Sequence, residues 1–178
     1  MNYYDKLYAD IQRIKDELEG LDYHIYYKEL SDELHTLHEN LYQNLDFSHV
    51  IVKQKGGVQL LPVEKGFLKA LSGQTANHLS FPIYWTLEHH INYYELITKL
   101  IENWYVEIAF PTNDISFLTG EQLKAALKSV GLKVSGKKQE QIGRLLNSGN
   151  VIDALKSTNN YTERFFLTAL GKEAINEI

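Results

Sequence analysis

Ser135-Gly136-Lys137-Lys138, with Lys133 just before and Arg144 six residues beyond, groups residue types suited to holding a phosphate. A hydroxyl and a glycine backbone that admits close approach stand beside two ammonium charges. Where such residues begin a helix, they add to the free N–H groups and partial positive charge of its N-terminus. The expected chemistry is electrostatic and non-covalent, and contacts of this kind position a protein on a duplex without reading its bases. Lys133, Ser135, Gly136, Lys137, Lys138 and Arg144 are the candidate nucleic-acid-binding residues.

No other constellation offers chemistry. His35 and His38 lie three apart beside Glu39, but no HExxH is present and a third metal ligand has no patterned source. His89 and His90 are adjacent, so they diverge on a helix, and His78 stands alone. The chain has no GxxxxGK(S/T), GxGxxG or GxSxG stretch, and no cysteine. No catalytic residue, metal or cofactor is expected, and the protein is read as non-enzymatic.

The charge is segregated. The formal net charge is -5, yet residues 118–146 carry six basic against two acidic side chains. Residues 1–46 carry eleven acidic against four basic ones. Such asymmetry points to a local polyanion contact with the acidic part turned elsewhere.

Two helices must position the basic cluster. In "TGEQLKAALKSVG", Thr119 and Gln122 have capping-box spacing, and Leu123, Ala126, Leu127 and Val130 form the inner face. Gly131 falls where a left-handed residue ends a helix. "LKVSG" reads as an extended crossing that turns Leu132 and Val134 into the core. Ser135 is placed to cap a second helix, which faces inward with Ile142, Leu145 and Leu146.

This helix–extended–helix stretch resembles the SAP motif of chromatin-associated and nucleic-acid-processing proteins. The matching residues are Leu123, Leu127, Gly131, Leu132, Ser135, Gly136, Lys137, Lys138, Ile142, Arg144 and Leu145. They span about one sixth of the chain. Gln141 departs from the pattern, standing where an aliphatic side chain is usual, and is expected to loosen the packing of the second helix. The resemblance implies contact with double-stranded DNA, often A/T-rich and weakly sequence-selective.

Around this module, Tyr4, Leu7, Ile11, Ile14, Leu18 and Leu21 are spaced 3, 4, 3, 4, 3, and Tyr27, Leu30, Leu34, Leu37 and Leu41 repeat the seam. The spacing predicts an antiparallel helical hairpin over 1–47. Its stripes either pack onto the rest of the domain or form a homodimer interface through Tyr4, Leu7, Ile11, Ile14, Leu18, Leu30, Leu34, Leu37 and Leu41. Residues 48–61, β-branched around a "KGG" turn signal, read as a strand-like linker or a hairpin.

Over 62–115 the order is helix, loop, helix, strand, with Pro62 suited to a helix start. The passage "ITKLIENWYVEI" resembles the recognition helix and wing of winged-helix proteins. After the module at 116–148, residues 149–178 resemble the closing strand and C-terminal helix of such regulators, with Thr168 as cap. Trp104–Phe110 and Tyr161–Thr168 are expected to pair as an antiparallel ribbon with the module at its tip. Residues 81–178 together resemble SAP-containing proteins of low-GC Gram-positive bacteria and their prophages.

The fold expected is mainly α with a small β component: an N-terminal helical hairpin, then a winged-helix-like region carrying an inserted SAP module. The absence of an apolar signal region and of a run of about 18 apolar residues excludes a membrane partner and makes the cytoplasm the expected location. The function expected is that of a phage or bacterial accessory or regulatory factor that contacts double-stranded DNA. The alternative is a phage-encoded inhibitor or adaptor. It would bind a protein of a host nucleic-acid machine through the acidic N-terminal helices, which carry Tyr3, Tyr4, Tyr8, Tyr23, Tyr26 and Tyr27.

Overall fold

The computed structural model describes residues 3–17, 19–20, 45–82 and 84–176. They are mainly helical, with one two-stranded antiparallel sheet. In chain order the elements are α1 (Tyr3–Glu17), α2 (Pro62–Leu71), α3 (Tyr84–Leu87), α4 (Tyr93–Glu102) and β1 (Val106–Ala109). Then come α5 (Gly120–Ser129), α6 (Lys138–Asn147), α7 (Val151–Ser157), β2 (Arg164–Leu167) and α8 (Ala169–Asn176). No helix among the described residues is long and apolar enough to cross a membrane.

A first core gathers α2, α4, α8 and the inner face of the sheet. Pro62 opens α2, where its missing N–H removes a donor that would have no helical partner. Phe67, Leu68 and Leu71 are fully buried, and Phe67 packs with Phe81, Trp85 and Tyr93 at ring-centroid distances of 4.7–5.6 Å. The Thr86 hydroxyl donates to the Tyr93 hydroxyl at 2.9 Å, satisfying polar groups buried in that aromatic cluster. Asn92 caps α4 by accepting the Glu95 N–H at 3.1 Å. Ile97 and Leu100 put α4 against the core.

The expected ribbon is present. Val106 pairs with Leu167, Glu107 with Phe166, Ile108 with Phe165 and Ala109 with Arg164. Thr168 caps α8 through the Gly171 N–H at 3.1 Å, and its hydroxyl also donates to the Trp104 carbonyl at 2.5 Å. Gly171 is required by close approach: a Cβ there would lie 2.0 Å from the Tyr105 carbonyl oxygen.

A second, separate core is formed by the segment that joins β1 to β2 in the chain. Ile115, Leu118, Leu123, Ala126, Leu127, Ile142, Leu145, Val151, Ala154 and Leu155 pack together across α5, α6 and α7. Helix α7 is absent from the sequence expectation, and it extends the inserted unit beyond the expected end at residue 148. Aromatic contacts join the unit to the ribbon. Phe110 stacks on Tyr161 at 4.8 Å, and the Arg164 guanidinium lies 3.9 Å from the centre of the Phe117 ring.

Other expectations are corrected or fall elsewhere. No strand forms within 48–61. The segment is extended, and its Lys53, Gln54 and Gly56 N–H groups bond to the Glu102 and Asn103 carbonyls at the end of α4. Ile11 and Ile14 are buried on α1, which also carries Tyr4 and Leu7. Leu18, Leu30, Leu34, Leu37 and Leu41, and with them the second helix of the hairpin, lie outside the described residues, as do His35 and His38.

Candidate nucleic-acid interface

The basic cluster occupies the crossing between α5 and α6. Helix α5 starts as its sequence dictates: the Gln122 N–H donates to Thr119 Oγ1 at 3.2 Å, and the Thr119 N–H to Gln122 Oε1 at 2.9 Å. It ends at Gly131, whose φ of 71° lets the Leu132 N–H reach back to the Leu127 carbonyl at 2.9 Å. Leu132 is half-buried against the second core. Val134 is 40% exposed, so only one of the two expected plugs is inserted.

Four successive carbonyls of the crossing are tied inward by two side chains of α6. Arg144 Nη1 donates to the Lys133 carbonyl and, at 3.0 Å, to the Ser135 carbonyl. Gln141 Nε2 donates to the Val134 carbonyl at 2.9 Å and to the Gly136 carbonyl at 2.8 Å. Gln141 is 5% exposed and braces the crossing, whereas its departure from the SAP pattern suggested loosening. The aliphatic contact is replaced by two hydrogen bonds.

Across a trans peptide the N–H of one residue points opposite to the C=O of the residue before it. With the carbonyls of Lys133, Val134 and Ser135 drawn toward α6, the N–H groups of Val134, Ser135 and Gly136 face away from it. None of these three donates to an acceptor among the described residues. Residues 133–137 are all exposed, and Gly136 has φ 111°, a region that favours glycine. Successive outward N–H groups are donors open to an anion.

The end of α6 is arranged differently from expectation. Its N-cap is Lys137 and not Ser135. Glu140 accepts the Lys137 N–H at 3.1 Å, and its carboxylate covers the space that a Cβ on Gly136 would enter. The chain thus supplies its own anion to the helix terminus, leaving the outward N–H groups of the crossing as the open donors. Lys133 and Lys137 flank them. The Lys138 ammonium instead donates to the Ser116 carbonyl at 2.9 Å. The six expected residues therefore share one surface but divide into exposed charges, an open backbone and inward braces.

The chain matches no family model, no curated protein and no solved structure.

Sequence reasoning missed the outward N–H groups of Val134 and Ser135, because loop carbonyl direction has no residue signature. Among the described residues no group of His, Asp and Glu side chains is arranged to hold a metal ion.

Proposed function

We propose that the protein is a non-enzymatic DNA-binding factor whose SAP-like module contacts duplex phosphates through the α5–α6 crossing. The observation that carries this reading is the pair of side chains, Arg144 and Gln141, that fix four carbonyls inward and leave three N–H groups outward between Lys133 and Lys137. A donor surface held in place before binding has little conformational entropy left to lose, so its contacts with an anion are more effective. Its one guanidinium, Arg144, is committed to backbone carbonyls, which fits binding that follows the phosphate backbone and depends on salt.

The test is fluorescence-anisotropy titration of the full chain with A/T-rich and G/C-rich duplexes at two salt concentrations, beside Lys133→Glu/Lys137→Glu. Each phosphate neutralised by a lysine contributes a slope of about −0.9 to log K against log salt, so Lys133 and Lys137 together give roughly −1.8. Salt-sensitive binding that the variant loses supports the reading. Binding that is absent at low salt, or retained by the variant, overturns it.

A further inference from the structure

The scaffold carries a second surface of opposite charge. A groove of about 700 Å³ runs between residues 45–52 and the ribbon. Asp46, Glu107 and Glu163 line it, all exposed, and no lysine, arginine or histidine does. Neither Glu107 nor Glu163 is held in an ion pair among the described residues. The Ser48 backbone N–H holds the Asp46 carboxyl below its ordinary range. Val52 and Phe110, both partly open to solvent, are among its apolar lining.

The backbone of β1 opens into the same groove. Val106, Glu107 and Ile108 all line it, although successive side chains of a strand point to opposite faces. A groove touching all three therefore meets the strand along its backbone edge. The outer edge of β2 is already occupied: the Phe165 N–H donates to the Gln74 carbonyl at 2.9 Å, and its carbonyl accepts the Gly73 N–H at 2.8 Å. Phe165 thus directs its backbone groups away from β1. Its partner Ile108 belongs to the same non-hydrogen-bonded pair and directs its own away from β2. They point to the open edge, and neither bonds to backbone among the described residues.

We propose that this edge receives an extended, lysine- or arginine-bearing segment of a partner protein, added as a third strand beside β1. Main-chain hydrogen bonds to Ile108 supply the attachment, and the three carboxylates select the basic sequence. Strand β1 has four residues, so the docking segment is short. The site is distinct from the α5–α6 crossing and does not depend on DNA binding there.

The experiment uses the full chain and three synthetic peptides of equal length. One alternates lysine and valine, one alternates glutamate and valine, and one is the lysine peptide N-methylated at alternate amides. Binding is read by titration, and the Ile108 amide by hydrogen exchange. The lysine peptide is expected to bind at least about tenfold more tightly than the other two and to slow Ile108 exchange. Glu107→Lys/Glu163→Lys, two exposed positions, should weaken it by about tenfold, while Lys133→Glu/Lys137→Glu leaves it unchanged. Equal binding of the glutamate peptide, equal binding of the methylated peptide, or unchanged Ile108 exchange overturns the proposal. Ile108 protection that grows with protein concentration in the absence of peptide also overturns it, assigning the edge to a second copy of the chain.

Discussion

The Glu140 carboxylate accepts the Lys137 backbone N–H at 3.1 Å and fills the space beside Gly136. It stabilises the start of α6 and places a negative charge among the residues that would meet a phosphate. On the proposed function, stability and binding pull in opposite directions at one side chain.

Glu140→Gln separates them. Loss of the charge at the helix terminus should lower stability by about 0.3–1 kcal/mol, read by urea denaturation. Duplex affinity at low salt should rise several-fold, because the repulsion between carboxylate and phosphate is gone. Unchanged or weaker DNA binding would mean that the phosphates do not approach this end of α6.

Gln141→Leu restores the aliphatic residue common in the SAP pattern. It also deprives the Val134 and Gly136 carbonyls of their donor. Two acceptors turned toward α6 lose their donor, so stability should fall by about 1–3 kcal/mol. Hydrogen exchange in the crossing should accelerate, and DNA affinity should fall although no charge has changed. Affinity equal to the native protein's would show that the brace has no part in binding.

Helix α7 belongs to the inserted unit. Leu155 is fully buried in the second core, so Leu155→Ala should cost about 2–5 kcal/mol in thermal or chemical unfolding. A fragment of residues 113–161 should give a cooperative transition, whereas 113–148, with Val151, Ala154 and Leu155 removed from its core, should not. Cooperative unfolding of the shorter piece would make α7 an accessory.

Gly171→Ala distinguishes close packing from helix propensity. Alanine in a helix interior ordinarily gains about 1 kcal/mol over glycine. Here the added methyl would meet the Tyr105 carbonyl oxygen at 2.0 Å, and α8 would have to lift off the ribbon. A net loss of about 3 kcal/mol is expected, seen as a lower melting temperature. A raised melting temperature would refute the close contact.

What the sequence made legible is local. The capping box of Thr119 and Gln122, the helix end at Gly131, and the inward Leu123, Leu127, Ile142 and Leu145 each follow from spacing over one or two turns. The pairing of β1 with β2, far apart in the chain, was expected from the resemblance of the stretches flanking the module to the two halves of a wing. Helix α7 was not, since seven residues with three buried apolar positions resemble many loops. Residues 50–54 alternate like a strand, but their hydrogen-bond partners are the terminal carbonyls of α4, a tertiary fact that composition does not encode. Gln141 reads as a packing defect until the positions of the backbone acceptors are known. The acidic edge of β1 draws its carboxylates from three separate segments, so no single stretch announced it.

The inserted unit departs from Ala109 and returns at Arg164, two residues that face each other in the ribbon. Its ends are therefore neighbours, and its core is its own. Such a unit is a cassette: joining the two strands by a tight turn would close the scaffold without it, and another domain with adjacent termini could take its place. Exchange of the unit between proteins, by recombination or in the laboratory, would alter what this face of the molecule binds and leave the core formed by α2, α4 and α8 untouched.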